Sequence, residues 1–362
     1  MAPLDGLRGL AIALVLWHHL VESALPPGRG SWLGWVRAGT SLSWCGVDLF
    51  FVLSGYFIGG ILIDRRSSPR LARIFYLRRA VRILPLYYVT LAAAFAGIAA
   101  GLAGAGHLFP AWVYGLFLTN FALAASPVWD WLPLSALWSI AVEEQFYLIA
   151  PWVVRSIAPA QLPWFAAGLA LLAWAARVTL VLVFPGHPLA AHVLMPLRMD
   201  TLALGVLVAW AVRHAPAQPF FAALSAHWQA SLAGIGLVIA LLTVQGLQQG
   251  DPKLCLYGYT LLATGFALLV ALVAGGRPAG LNRLFAFRPL VHLGRHSYFV
   301  YLWHGLIGAG LIRGLAGEHF VLHTPAGATL VAGAVAVTWG AAILSWKLLE
   351  SPLVALGQRH AY

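Results

Sequence analysis

Charge is what this sequence has least of. Only 9% of its 362 residues are Asp, Glu, Lys or Arg, 61% are hydrophobic, and the mean hydropathy is +0.84. Soluble globular chains average about 25% charged residues, so this scarcity excludes a water-soluble enzyme. Cysteine is scarcer still. Cys45 and Cys255 are the only two, too few for a disulfide framework or a thiolate metal cluster. The 13 histidines show no ligand pattern beyond scattered pairs, so no metal is expected as a cofactor. Acidic residues are the minority sign, 11 against 22 Lys and Arg, for a net charge of +11. A basic balance argues for a nucleic-acid partner only where it forms one surface, and here it does not.

The charge scarcity leaves long apolar runs, and a run of about 20 such residues spans a bilayer as a helix. Eleven segments qualify, approximately 7–24, 44–63, 83–103, 109–125, 134–154, 163–184, 193–212, 229–247, 257–275, 297–313 and 327–349. Asp5, Arg8, His18 and His19 make the first unlike a cleaved signal peptide. Seven arginines crowd residues 64–82 and four more, Arg277, Arg283, Arg288 and Arg295, lie in 276–296. The positive-inside rule reads both runs as cytoplasmic loops. If all eleven segments crossed from an N-terminus inside, Arg155, Arg213, the 276–296 loop and Arg359 would fall outside, against that rule. Segment 109–125 is therefore expected to be re-entrant or partial. It is short, begins at Pro110, contains Asn120 and is followed by Pro127, Asp130 and Pro133. The expected fold is all-α: one polytopic domain over 1–362, about ten membrane helices in a plasma (inner) membrane, both termini cytoplasmic. The outward pieces, about 25–43, 104–136, 185–193, 248–256 and 314–326, are too short for a separate domain.

An ionisable group in a membrane span costs several kcal/mol unless it meets a partner or water, so each is a functional candidate. The first segment opens Asp5-Gly6-Leu7-Arg8-Gly9 and carries His18-His19. Arg8 and His19 are eleven positions apart, about 1100° of ideal helix and about 16 Å of rise, so they share a face within about 20°. An arginine at one end and an imidazole deep on the same stripe suit an anionic reagent entering from the cytoplasm; the alternative for His19 is an interhelical hydrogen bond. The second segment carries Asp48 near its outer end and Ser54-Gly55, small enough for close packing. Arg78, Arg79 and Arg82 close the first basic run, and guanidinium forks match phosphate oxygens. Arg65, Arg66 and Arg70 suit anionic headgroups better. The fifth segment carries Trp138 and the carboxylates Glu143-Glu144, about 100° apart on a helix, one to face a cavity and one to pair elsewhere. Glu143 could orient or activate an imidazole, act as a base itself, or pair with Arg177 or Arg198. Arg198 and Asp200, two apart, do not face each other, whereas Tyr301 and His304, three apart, do.

These pieces in order, Leu4 to Gly9 with His19, Gly46 to Phe57, Arg79-x-x-Arg82, Trp138 to Tyr147, and Ser297 to His304 with Glu350-Ser351-Pro352, resemble the acyltransferase type 3 family over nearly the whole chain. That resemblance implies an enzyme that moves an acyl group, usually acetyl from acetyl-CoA or another acyl-CoA, to a hydroxyl of a surface carbohydrate, free or lipid-linked, such as an exopolysaccharide or O-antigen unit. His19 matches the family histidine and Arg8 its paired basic residue. Arg79 and Arg82, with Arg78 beside them, match the pair associated with the donor; Ser54 falls in the Ser-Gly-x-Phe stretch; Glu143 matches the acidic residue after the tryptophan. Larger members carry a fused extracytoplasmic domain, so a stand-alone form is expected here. The expected site is His19 with Glu143 as catalytic pair, supported by Asp5, Arg8, Asp48, Ser54, Trp138, Glu144, Tyr301 and His304. His19 acts either as base or as covalent acyl carrier. Trp112, Trp129 and Trp131 stack on a sugar or anchor at the interface. The competing class is a transporter or flippase of a glycan precursor, which leaves its substrate chemically unchanged.

Overall fold

The computed structural model describes residues 2–101, 107–126, 128–129, 132–184, 186–187, 189–214, 217–276, 278–317, 320–360 and 362. Pro127, Asp130, Trp131 and Arg277 lie outside the described residues. The described residues form helices and connecting turns, with no strand among them. Helix α1 (Ala2–Leu16) runs into a π-helical turn (Trp17–Val21), and the short α2 (Trp32–Gly39) precedes α3 (Gly46–Asp64) and α4 (Leu71–Ala99). The pieces α5 (Ala111–Gly115), α6 (Thr119–Ala125) and α7 (Leu132–Ser135) lead into α8 (Leu137–Ser156) and α9 (Leu162–Val183). Next come α10 (Ala190–Val193), α11 (Met199–Arg213), α12 (Gln218–Ala226) and α13 (Trp228–Val244). A π turn (Leu254–Gly258) opens α14 (Tyr259–Ala274), followed by α15 (Ala279–Phe285), α16 (Arg288–Arg295) and α17 (Ser297–Trp303). The chain closes with a π turn (His304–Ala309), α18 (Gly310–Ala316), α19 (Pro325–Ser345), a π turn (Trp346–Glu350) and α20 (Ser351–Gln358).

Eight helical stretches are long and apolar enough to cross a membrane, and α12 with α13, bent by 77°, makes a ninth if the pair is one span. Helix α8 has the length, 20 residues, or about 30 Å, but Glu143-Glu144-Gln145 interrupt its apolar run. Counting α8 gives the ten spans read from the sequence, and the protein is a polytopic all-α membrane protein. Segment 109–125 does not cross, as expected: α5 and α6 are 5 and 7 residues long, separated by Phe117 in the left-handed region at φ 56°.

Two expected loops are helical instead. Helix α4 begins at Leu71, so Arg73, Arg78, Arg79 and Arg82 stand on its early turns. Leu71, Ile74 and Phe75 are buried, an i, i+3, i+4 stripe that seats this stretch despite its charge. The run 276–296 likewise holds α15 and α16. The segment expected over 229–247 extends back through the bend to Gln218.

Glycines set how closely the spans approach. A Cβ on Gly6 would stand 1.8 Å from the Phe285 carbonyl oxygen, and one on Gly9 2.1 Å from that of Leu290. Reciprocally, a Cβ on Gly294 would stand 1.8 Å from the Asp5 carbonyl oxygen. The Asp5-Gly6-x-x-Gly9 motif is thus the surface on which α1 lies against 285–295. Gly55 and Gly205 do the same where α3 crosses α11, small-residue packing of the kind membrane helices favour.

Two buried charge pairs lie inside the bundle. Arg198 bonds Asp48, and Arg177 bonds Asp200 at 2.6 Å, all four side chains fully buried or nearly so. Asp48, expected beside the site, is paired with Arg198 and is not among the residues lining the two cavities described below. Neither arginine is left for Glu143, which removes that alternative. Cys45 and Cys255 are both free and buried.

Breaking one half of a buried pair leaves an uncompensated charge at a cost of about 3–5 kcal/mol, whereas replacing both halves by apolar groups is often neutral. Arg198→Met should therefore lower the unfolding midpoint of detergent-solubilised protein sharply, and the double change Arg198→Met with Asp48→Leu should recover most of the loss in the same thermal scan.

Candidate active site

Two cavities lie back to back in the bundle. The first, about 110 Å³, is lined by Arg8 from α1, Ser54 from α3, Arg79 and Arg82 from α4, and Glu143, Glu144 and Tyr147 from α8, with Tyr298 and Tyr301 from α17. Arg79 and Arg82 reach it together because positions three apart share a helix face. The Tyr147 hydroxyl donates to Glu143 at 3.2 Å and lies 2.6 Å from Ser54 Oγ, which makes a chain from serine through tyrosine to carboxylate. Glu144 lines the same cavity and its Oε1 has no hydrogen-bond partner. Both carboxylates thus face one cavity, where the 100° offset between neighbours predicts a split.

Basic residues surround this cavity on further sides. Arg82 also lines a 290 Å³ cavity with Arg65, Arg78, Arg79 and Tyr362, and a 570 Å³ cavity with Asp5, Arg8, Arg295, His296 and Lys347. Arg78 donates to the His360 carbonyl at 2.6 Å and covers the Tyr362 ring at 4.7 Å. Asp5 lies between Arg8 at 3.9 Å and Arg295 at 3.7 Å, which spaces the guanidiniums apart. Such an array is suited to a multiply charged anion, since charge-assisted contacts to guanidinium forks are the strong ones.

The second cavity, about 240 Å³, is lined by His18, His19, Trp44, Trp129, Trp138, His192 and Gln249, with Val47 and Tyr301. His19 Nδ1 lies 3.1 Å from the Val15 carbonyl and His304 Nδ1 2.7 Å from the Tyr301 carbonyl. A carbonyl only accepts, so both Nδ1 atoms donate and both Nε2 atoms keep a lone pair. The two rings are 4.8 Å apart. Each histidine stands on a π-helical turn, Trp17–Val21 and His304–Ala309, a local widening often found at functional sites. Because the ladder widens at Trp17, the ideal-helix alignment of Arg8 with His19 does not carry through. Arg8 lines the first cavity and packs over Phe57 at 4.3 Å, and His19 lines the second. In α10, outside the spans, burial lowers the His192 imidazole to about 3, so it is neutral and bonds the Tyr259 hydroxyl at 3.0 Å.

The expectation that Glu143 orients His19 is corrected by this geometry. Trp138 lines the histidine cavity and Glu143 the arginine cavity, because five positions on α8 are about 7.5 Å of rise. The carboxylate in the histidine cluster is Glu22, which bonds His18 Nδ1 at 3.1 Å and also Ser43. The signal for it is the i, i+4 spacing of His18 and Glu22, beside the histidine pair the sequence reading singles out. Val47 and Tyr301 line both cavities and form the wall between them, and the Tyr301 hydroxyl is tied to Ser139 at 2.6 Å and to the Ala136 carbonyl at 3.1 Å.

A chain with an arginine-lined and a histidine-lined cavity meeting across one wall fits a two-substrate transferase. It belongs to the acyltransferase domain family, whose model matches residues 2–346. It is 29% identical over 328 residues to the peptidoglycan O-acetyltransferase OatA of Listeria monocytogenes, covering 83% of this chain and 48% of that protein. Similarity extends to YrhL of Bacillus subtilis, at 28% identity over 83% of this chain and 47% of the other, and to the O-acetyltransferase OatA of Staphylococcus aureus, at 27% over 83% and 49%. The chain spans about half the length of these relatives. No solved structure matches it.

Tyr147→Phe removes the hydroxyl that bonds both Glu143 and Ser54 and leaves a buried carboxyl short of a donor. A loss of about 1–3 kcal/mol is expected, read as a lower unfolding midpoint in detergent, with Tyr76→Phe on an exposed hydroxyl as the comparison that should move little.

Proposed function

We propose that this chain is a membrane O-acetyltransferase that moves acetyl from cytoplasmic acetyl-CoA to a hydroxyl of a cell-envelope carbohydrate, with a peptidoglycan or lipid-linked glycan as acceptor and both termini in the cytoplasm. The observation that carries this reading is the pairing of a cation-lined cavity with an imidazole-lined cavity, the two sharing Val47 and Tyr301 in their linings. A donor bearing phosphates is matched by Arg8, Arg79 and Arg82, with Arg78 or with Arg295 and Lys347 on flanking sides. The hydroxyl-bearing ring of an acceptor is matched by the histidine cavity, which has no Arg, Lys, Asp or Glu among its described lining residues. Clustering of arginine at one end of the spans supports placing that end in the cytoplasm. The relatives named above support the choice of acetyl and of a cell-wall acceptor.

The chemistry asks little of the protein, because a thioester is already activated. His19, with Nδ1 held by the Val15 carbonyl, offers the Nε2 lone pair to the acceptor hydroxyl and takes its proton as the oxygen attacks the thioester carbonyl. The new C–O bond forms, the C–S bond breaks, and the imidazolium returns its proton to the departing thiolate. His304, 4.8 Å away, carries the second Nε2 that can share this proton. Arg8, Arg79 and Arg82 hold the anionic end of the donor rather than the reacting carbonyl.

The test is transfer of labelled acetyl from acetyl-CoA into the glycan of envelope membranes, wild type against His19→Ala at matched expression. Loss of about 10²–10⁴-fold is expected for the general base; near wild-type transfer by His19→Ala overturns the proposal, and a glycan moved across the membrane without label makes the chain a carrier. Arg82→Ala should instead raise KM for acetyl-CoA by about tenfold or more, with a smaller change in kcat and a weaker dependence on salt.

A further inference from the structure

We propose that the histidine cavity is a subsite for one pyranose ring, held by the indoles of Trp44 and Trp129 and by the Gln249 amide; the inference rests on the acyl-transfer reading and names how the acceptor is recognised. At about 240 Å³ the cavity is smaller than the roughly 300–1,000 Å³ that enclose drug-sized molecules, so it takes a ring rather than a chain of rings. Its lining suits that ligand chemically. A pyranose has flat C–H faces and a hydroxyl rim, and the cavity is lined by indole and imidazole rings, of which Trp129 is the exposed one, with a few polar groups beside them.

The aromatic residues form one cluster around His192. Trp138 stands 4.6 Å from that ring, Trp44 5.5 Å and Trp129 6.3 Å. Trp44 is only 3% exposed, yet its Nε1 has no hydrogen-bond partner. A buried indole N–H normally finds one; Trp17, Trp303 and Trp339 are orphaned as well, but among the described residues Trp44 alone of these four lines this cavity, where an acceptor on the ligand can meet it. Trp129 is 39% exposed and closes the rim. Its edge-on contact with His192 distinguishes it from Trp112 and Trp164, which are 60% and 80% exposed and suit interfacial anchoring. His18 and His19 line the same space, which brings a rim hydroxyl to the imidazole that the reaction needs.

The experiment measures binding rather than turnover. Full-length protein in nanodiscs is titrated against a fluorescein-labelled tetrasaccharide of alternating N-acetylglucosamine and N-acetylmuramic acid, read by fluorescence polarisation. Trp129→Ala and Gln249→Ala should each weaken binding by about tenfold, and Trp44→Phe, which keeps a ring but removes the N–H, by a smaller factor. Trp112→Ala, outside this lining, should bind as wild type. Unchanged thermal midpoints separate lost contacts from lost fold. Absence of saturable binding by the wild type, or wild-type affinity in both Trp129→Ala and Gln249→Ala, overturns the subsite. If His19→Ala transfers acetyl normally while the tryptophan variants fail to bind, the subsite stands and the assignment of the base falls.

Discussion

Helix α1 can carry Arg8 and His19 to two cavities only because its backbone touches that of its neighbour. With Gly6, Gly9 and Gly294 at the contact, three carbonyl oxygens occupy the space where side chains would stand. Close approach of this kind substitutes for the hydrophobic drive that a bilayer does not supply between helices. It also fixes α1 lengthwise: the interface spans 285–294 at one end of α1, so the histidine pair falls beyond Leu16 at the other. Any side chain larger than hydrogen at these positions pushes α1 away from α16, and with it Arg8 from Arg82 and His19 from His304.

The same economy governs charge. Two buried arginine–aspartate pairs neutralise each other between α3, α9 and α11 and leave the cavities to groups with another purpose. What remains unpaired within the bundle gathers at two places: Glu143, Glu144 and the arginines in one, the imidazoles in the other. The π turns serve this separation. Widening the helix at Trp17–Val21 and His304–Ala309 frees backbone carbonyls to fix ring nitrogens, and both rings are turned with Nε2 away from their own helix backbone bond.

Much of this was legible in the chain. Apolar length gave the spans, the Pro110 to Pro133 punctuation marked the broken segment, and Ser54-Gly55 announced the crossing of α3 with α11. Arg8, Arg79, Arg82, Ser54 and Glu143 do meet around one cavity, and His19 meets His304. That Glu143 and His19 line different cavities was not legible, because both lie in membrane segments and nothing in sequence spacing gives their relative depth. Helix rise decides it, and rise depends on where each helix starts. The helical start of α4 was hidden because arginine density reads as loop, although the buried positions Leu71, Ile74 and Phe75 keep helical period. Glu22 is legible only through its i, i+4 spacing from His18, a spacing that by itself does not separate a site carboxylate from a helix-surface pair.

On the proposed reading, the residues shared by the two cavities bear on how the chain would act across a membrane without being a channel. A continuous aqueous path from the arginine cavity to the histidine cavity would leak protons and water, and would expose a thioester to hydrolysis. Tyr301, bonded to Ser139 and to the Ala136 carbonyl and flanked by Val47, keeps the two apart. On the proposed reading neither the phosphorylated donor nor the sugar needs to pass this point. Only the two-carbon acyl group and its thioester carbonyl do, and these are uncharged, so the crossing incurs none of the penalty that a phosphate or a hydroxyl-rich ring would meet in a low-dielectric interior. On that reading, recognition of the two substrates falls to two cavities built from different chemistry.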